Sequence, residues 1–150
     1  MTLKQMDMPI ETDVRILATD ISTKVLGSAI EGKYPKKKID TVPSILRDKY
    51  MQKEGYGDDA VYWMKDILRN MIVFKRLNLS VTPFPMHGPM DIIFCRNVMI
   101  YFDNEIRKRL LAEYFRLLKP GGYLFVGHAE SLTGMLSGFK AVKPSIYIKP

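Results

Sequence analysis

The sequence lacks the features that would place a protein outside the cytoplasm or within a membrane. Cys95 is the only cysteine among 150 residues, which excludes an internal disulfide and fits a reducing compartment. No apolar run reaches the roughly 18 residues that a membrane span requires. Residues 1–13 also lack the apolar centre of a signal peptide. We therefore expect a cytoplasmic protein.

Several motifs that bind phosphates or metals are missing as well. The sequence contains no P-loop, no zinc-type pair of cysteines and no complete G-x-G-x-x-G. We predict no metal site. Any chemistry must depend on polar residues placed by the fold.

Acidic residues are in the minority, since the net charge is +7. The excess is concentrated in residues 33–53, which hold seven basic and two acidic side chains. Such a segment favours an acidic partner, either protein or nucleic acid, and speeds encounter more than it sets specificity. An ordinary solvated basic surface explains the same charge equally well.

Strand-like and helix-like segments alternate along the chain. The clearest helix is NEIRKRLLAEYFRLL, which Asp103 or Asn104 can cap and Lys119-Pro120-Gly121-Gly122 can stop. Apolar strand-like runs lie at residues 14–19, 71–74, 91–95 and 123–126, and residues 139–142 and 145–148 suggest a final antiparallel pair. This alternation predicts an α/β fold with a largely parallel sheet. Residues 33–70 break the pattern, and we interpret them as a small inserted subdomain.

Polar residues follow three of these strands at the edge where open α/β sheets bind ligands. Asp20 follows the first strand, and an acidic side chain there can accept both ribose hydroxyls of a nucleotide-like cofactor. Asn78 follows the strand through Phe74, and Arg96 with Asn97 follows the strand through Cys95. An arginine within an apolar run is costly to bury unless its donors are satisfied. We therefore expect this part of the chain to face a ligand.

Each candidate also has a purely structural explanation. Asp20 can cap the next helix together with Ser22, Asn78 can be a turn residue, and Arg96 can pair with a structural carboxylate. For four further side chains a structural role is a better explanation than a catalytic one, namely Cys95, His87, Tyr101 and Phe102. His128 and Glu130 follow the strand through Val126, but a His-x-Glu pair alone is weak evidence for acid–base chemistry or metal binding.

Four segments taken together carry a family resemblance: ILATDIS, FKRLNL, DIIFCRNVMIYFDNE and LLKPGGYLFVGHAESL. In order and spacing they closely resemble the chemotaxis receptor methyltransferases, the CheR family, from about residue 14 to the C-terminus. That family uses S-adenosylmethionine to methylate glutamate side chains on the cytoplasmic helices of methyl-accepting chemoreceptors. The resemblance implies an incomplete Rossmann-like class I methyltransferase sheet, mostly parallel, with a terminal antiparallel hairpin and the inserted subdomain.

The resemblance also assigns roles to the strand-end residues. It implies that Asp20 holds the cofactor ribose and that Asn78 and Leu79 border the adenine. It places Arg96 and Asn97 along the cofactor and substrate cleft, and Tyr101 beside the transferred methyl group. Residues 33–70 match a subdomain that in some members docks a receptor-tail peptide by strand addition. S-adenosylhomocysteine would be the product, and contact with the membrane would be peripheral and through the receptor.

Parts of the family pattern lie outside this sequence. These are a helical N-terminal domain, the first strand of the methyltransferase sheet and the loop that cradles the methionine end of the cofactor. We thus expect residues 1–150 to be an N-terminally truncated catalytic domain with unpaired sheet edges. Either the strand at 14–19 pairs directly with that at 91–95, or chains self-associate through an exposed edge, or another polypeptide fills the gap.

Two further functions compete with the receptor methyltransferase. One is a non-catalytic module that retains receptor or partial cofactor contacts without turnover. The other is an RNA-binding protein, which rests on basic charge alone. We predict no nucleic-acid partner.

Overall fold

A computed structural model of the chain describes residues 1–7, 12–128, 130, 132 and 138–150. It contains two compact units, Met1–Leu77 and Asn78–Pro150. Within the described residues, no helix is long and apolar enough to cross a membrane.

The first unit contains a parallel pair of strands, β1 (Ile16–Asp20) and β5 (Ile72–Arg76), in register from Ile16 opposite Ile72 to Asp20 opposite Arg76. Helix α1 (Thr23–Glu31) follows β1 directly. Both of its ends have residues that are typical of helix termini. The Ser22 side chain accepts a hydrogen bond from the Val25 N–H, and Gly32 closes the helix in the left-handed conformation at φ 65°.

Between these two strands the chain forms a separate antiparallel sheet. Its order is β2 (Lys33–Pro35), β4 (Val61–Met64) and β3 (Met51–Glu54). Three short helices accompany it, α2 (Lys36–Ile39), α3 (Ser44–Tyr50) and α4 (Asp66–Arg69). Five apolar residues are buried here, namely Ile39, Tyr50, Met51, Ala60 and Leu68. The segment thus has a small core of its own.

The second unit contains a four-stranded sheet in the order β6–β7–β9–β8. Strands β6 (Met90–Cys95) and β7 (Leu118–Val126) are parallel, whereas β9 (Ile146–Ile148) runs antiparallel to both β7 and β8 (Lys140–Lys143). Helix α5 (Asn104–Leu117) connects β6 to β7. The Asp103 carboxylate caps it by accepting from the Ile106 N–H at 2.8 Å. The buried face of α5 consists of Leu110, Leu111, Tyr114 and Leu117.

The predicted α/β class, the parallel pairs and the terminal antiparallel hairpin are confirmed. One boundary differs, because α5 ends at Leu117 and the Lys119-Pro120-Gly121-Gly122 segment already belongs to β7. A short helix-like stretch of the sequence after Val126 falls mostly on residues outside the described part of the chain.

The apolar run at residues 91–95 is typical of a strand that is buried on both faces, and that interpretation is wrong. Cys95 is buried, whereas the Phe94 side chain is 68% exposed and Ile92 is 47% exposed. Side chains alternate between the faces of a strand, and α5 covers only one of the two faces. Phe94 instead stacks on Phe125 of β7, with ring centroids 4.7 Å apart.

Each parallel pair also has an open edge. Among the described residues, β1 pairs only with β5, and β6 pairs only with β7. The direct pairing of residues 14–19 with 91–95, which the sequence left open, is therefore absent.

Candidate functional site

The carboxyl end of β1 carries a half-buried Asp20. Its Oδ1 accepts a hydrogen bond from the Ser22 N–H at 2.7 Å, which fixes the turn into α1. The helix cap itself is Ser22, so the structural alternative for Asp20 is correct only in part. The second oxygen, Oδ2, has no hydrogen-bond partner within the described chain. Among the described contacts, Asp20 thus uses one carboxylate oxygen and leaves the other without a partner.

Asn78 forms a local turn at the start of the second unit. Its Oδ1 accepts from both the Ser80 N–H at 3.0 Å and the Ser80 hydroxyl at 2.8 Å. This is the turn that the structural explanation predicted. The Asn78 side-chain NH2 remains free to donate among the described contacts, and Leu79 beside it is half-buried.

The segment after β6 holds Arg96, Asn97 and Tyr101 within six residues of sequence. Asn97 has a left-handed backbone at φ 59°, and a short 3-10 turn follows at Met99–Tyr101. Arg96 is exposed and has neither a hydrogen bond nor an ion pair with the described residues. Tyr101 is 80% exposed. Both side chains are therefore exposed, and Arg96 has no partner among the described residues.

A buried carboxylate, Glu130, holds the backbone of this segment. Its Oε1 accepts from the N–H groups of Val98 at 2.8 Å and Met99 at 2.7 Å. Its Oε2 accepts from the N–H groups of Asn97 at 3.1 Å and Gly127 at 2.5 Å. One side chain thus satisfies four backbone donors, three of them on a turn more than 30 residues away in sequence.

These contacts also change the acidity of Glu130. Burial by itself raises the pKa of a carboxyl group, because it disfavours the charged form. The N–H groups of Gly127, Asn97, Met99 and Val98 outweigh that effect, and the pKa of Glu130 lies below its ordinary value of 4.5. Glu130 is therefore an anion at neutral pH.

Two other residues support the same turn. Arg107 of α5 donates from its Nε to the Met99 carbonyl at 2.8 Å. Gly127 leaves no room for a side chain, since an added Cβ would lie 2.7 Å from both the Asn97 Oδ1 and the Glu130 Oε2. We call Glu130, Arg107 and Gly127 the turn clamp.

The remaining candidates have structural surroundings. Cys95 is buried beside Tyr114, and burial raises the pKa of its thiol, which makes it a poor nucleophile. His128 is exposed, with its Nδ1 3.5 Å from the Ser145 hydroxyl.

The structure therefore brings Arg96, Asn97 and Tyr101 together on one turn, whereas Asp20 belongs to the other unit. Sequence reasoning missed the turn clamp. It noticed Glu130 only as part of a His-x-Glu pair, although Gly127 at the end of a buried strand, three residues before an acid, was a usable signal.

A family model and curated relatives indicate one family. The family model described as CheR methyltransferase, SAM binding domain, matches residues 1–148. A chemotaxis protein methyltransferase from Borreliella burgdorferi is 42% identical over 136 residues, which cover 91% of this chain and 47% of that protein.

Two further relatives show the same coverage. Chemotaxis protein methyltransferase 2 of Pseudomonas aeruginosa is 36% identical, covering 89% of this chain and 48% of its own. The chemotaxis protein methyltransferase of Escherichia coli is 32% identical, covering 89% and 46%. The chain thus spans about half the length of the curated relatives it matches. Among solved structures, a SAM-dependent methyltransferase from Methanosarcina mazei has a TM-score of 0.44 at 20% identity, covering 76% of this chain and 42% of that one.

Proposed function

This chain belongs to the CheR methyltransferase family, and from that premise we propose that it serves S-adenosylmethionine-dependent methylation of glutamate side chains on chemoreceptors. The observation that carries the proposal is the match of the family model to residues 1–148. Relatives named chemotaxis protein methyltransferase support it at 32–42% identity. Residues 1–150 would then be part of the catalytic domain.

The polar residues fit the cofactor. Asp20 lies at the carboxyl end of a parallel strand and uses only one carboxylate oxygen among the described contacts, and a carboxylate there suits ribose hydroxyls. Asn78 uses its side-chain oxygen within its own turn, so its NH2 is the group left to contact the adenine. Leu79 would supply an apolar contact to the base. Asn97 and Arg96 would line the cleft from the turn after β6.

When bound, S-adenosylmethionine supplies a methyl group that its sulfonium sulfur has already activated. A glutamate carboxylate is a nucleophile at neutral pH, so no general base is needed. Methyl transfer would form one C–O bond on the glutamate for the C–S bond broken, with S-adenosylhomocysteine as the product. The remaining requirement is to orient the carboxylate in line and exclude water. Arg96 and Tyr101 suit this task, because a guanidinium and a hydroxyl bind a carboxylate without consuming it.

The test is transfer of a labelled methyl group from S-adenosylmethionine to the cytoplasmic fragment of a chemoreceptor, with Arg96→Ala and Tyr101→Phe as variants. We expect transfer to glutamates by the unaltered protein and a loss of about 10-fold or more in kcat in each variant. Receptor binding without any transfer would instead support the non-catalytic module.

Residues 33–70 would form the family's inserted subdomain and bind a receptor-tail peptide by strand addition. Among the described strands, β2 and β3 each pair only with β4, which leaves two open edges. Pro35 lies in β2 and has no backbone N–H, so β3 is the more suitable edge. Replacing Gln52 in β3 with proline should abolish binding of a labelled tail peptide, whereas Gln52→Ala should retain it.

Self-association through an open edge is the remaining partner proposal. Both β1 and β6 have unpaired edges within the described chain, and Phe94 beside the β6 edge is 68% exposed. We expect light scattering to report a dimer or larger species at high concentration, and Phe94→Glu to shift it towards the monomer. A monomer at all concentrations would contradict this proposal.

A further inference from the structure

We propose that Glu130 is a positioning residue for methyl transfer, which acts by fixing the backbone that presents Arg96 and Tyr101. This inference rests on the proposed function and deepens it. Glu130 itself would touch neither the cofactor nor the receptor glutamate. It acts through the Asn97–Met99 backbone, to which it is bound by three hydrogen bonds.

The first argument is the conformation that the clamp maintains. Asn97 has a positive φ of 59°, in a region that residues other than glycine seldom occupy, although asparagine enters it more readily than most. Such a backbone is kept in place where surrounding contacts fix it. Here they do, because Glu130 binds the N–H groups of Asn97, Val98 and Met99 while Arg107 binds the Met99 carbonyl.

The second argument is the contrast between this backbone and its side chains. The main chain of the turn is held from two other elements, yet Arg96 is exposed and Tyr101 is 80% exposed. A turn that served only the core would direct its large side chains inward, as Met99 does at 1% exposure. A fixed backbone with outward polar side chains suits the presentation of groups to a ligand.

Glu113 shows what a purely structural acid looks like in the same unit. It is also buried, accepts from the Phe84 N–H at 2.9 Å and pairs with Arg116 at 2.7 Å. Its contacts anchor the loop at residues 84–86 and none of them involves a candidate site residue. Glu113→Gln is therefore a matched control for Glu130→Gln.

The Glu130→Gln substitution replaces only one of the two carboxylate oxygens. In Glu130→Gln the remaining side-chain oxygen can still accept from two N–H groups, but the new NH2 group would face the other two donors. We expect amide hydrogen exchange of Asn97, Val98, Met99 and Gly127 to accelerate at least 10-fold in Glu130→Gln and to remain unchanged in Glu113→Gln. Unchanged protection in Glu130→Gln would overturn the proposed mechanism.

The kinetic test uses the native gene product, labelled S-adenosylmethionine and a chemoreceptor cytoplasmic fragment. We expect Glu130→Gln to lower kcat about 10- to 100-fold with a smaller change in the KM for receptor. The reason is that displaced Arg96 and Tyr101 could still bind the receptor glutamate but would no longer align it for transfer. Glu130→Asp, which keeps the carboxylate, should recover part of the loss. Glu113→Gln should keep kcat within about threefold at a matched loss of thermal stability.

The outcomes separate this inference from the function on which it rests. If Glu130→Gln and Glu113→Gln lose kcat equally while the unaltered protein still transfers methyl groups, Glu130 has only a structural role and this inference is wrong. No transfer by the unaltered protein would overturn the proposed function and the role of Glu130 in it. If Glu130→Gln fails to fold, Arg107→Leu releases the Met99 carbonyl from the opposite side, and wild-type kcat in that variant would contradict the proposal.

Discussion

The turns that follow β1 and β6 are held in different ways. After β1, Asp20 binds the N–H of Ser22, two residues along the chain. After β6, the turn at Asn97–Met99 depends on Glu130, which is more than 30 residues away. A local turn can form wherever its short sequence occurs, whereas the second turn exists only when β6 and β7 are paired. The turn after β6, which needs this distant contact, carries Arg96 and Tyr101, the residues that we assign to the reacting carboxylate.

Among the substitutions that test this comparison, Gly127→Ala should have the largest effect on stability. Its Cβ would lie 2.7 Å from the Asn97 and Glu130 side-chain oxygens, so the clamp must open or the strand end must shift. We expect a loss of about 2–3 kcal/mol in the free energy of unfolding of this unit, typical of overpacking. Gly27→Ala in α1 is the control, since no atom lies within 4 Å of an added Cβ there. If chemical denaturation shows Gly127→Ala to be as stable as wild type, the turn clamp does not restrict the space around residue 127.

Acid should weaken the turn after β6, because Glu130 holds that turn through its carboxylate. The folded-state pKa of Glu130 lies below its ordinary 4.5, so its stabilising contribution is complete above that pH and is lost as the pH falls below it. Cys95 and Tyr114, the titratable groups whose charge interacts with Glu130, have raised pKa values and stay neutral throughout. The loss in the free energy of unfolding on acidification should be smaller than that of Gly127→Ala, because a protonated carboxyl group retains two oxygens that can accept hydrogen bonds.

The measurement is the amide chemical shift of Val98 and Met99 during acid titration. We expect both to move together below the ordinary carboxyl pKa, and the movement to vanish in Glu130→Gln. A titration that is identical in that variant would assign the change to another group.

Ser22→Ala tests the turn after β1. It removes the oxygen that accepts from the Val25 N–H, which should cost about 1 kcal/mol as for other helix caps. Ser22→Thr keeps the acceptor and should restore most of the loss. A cost as large as that of Gly127→Ala, by the same denaturation experiment, would remove the distinction between the two turns.

The smallest expected effect belongs to Asn78→Ala. Both hydrogen bonds of its turn come from Ser80 and are exposed, so we expect a loss of about 0.5 kcal/mol. Asn78→Asp keeps the accepting oxygen and serves as the control. A loss several times larger would mean that Asn78 supports more than its own turn.

The same distinction explains what the sequence could predict. The cap at Ser22, the closing glycine at residue 32 and the cap at Asp103 depend on neighbours within one turn, and each was visible in the sequence. The parallel strands and the terminal hairpin followed from apolar runs and their connections.

The turn clamp could not be predicted in this way. Glu130 meets Asn97 only because Cys95 of β6 lies opposite Val126 of β7, and strand register is a property of the folded sheet. The exposure of Phe94 was also missed, since an apolar run does not reveal which strand faces are covered. Family resemblance supplied the candidate roles of Asp20, Arg96 and Tyr101, but it did not reveal what holds their backbone.

The most direct test of the account is calorimetric titration of the native gene product with S-adenosylhomocysteine, using Asp20→Ala and Asp58→Ala as variants. Asp58 is an exposed surface acid paired with Lys36 and should not matter for binding. We predict micromolar binding that Asp20→Ala weakens about 10-fold or more, the loss of a charged hydrogen bond, and that Asp58→Ala leaves unchanged. No binding by the unaltered protein, or equal binding by both variants, would contradict the assignment of Asp20 and with it the proposed cofactor site.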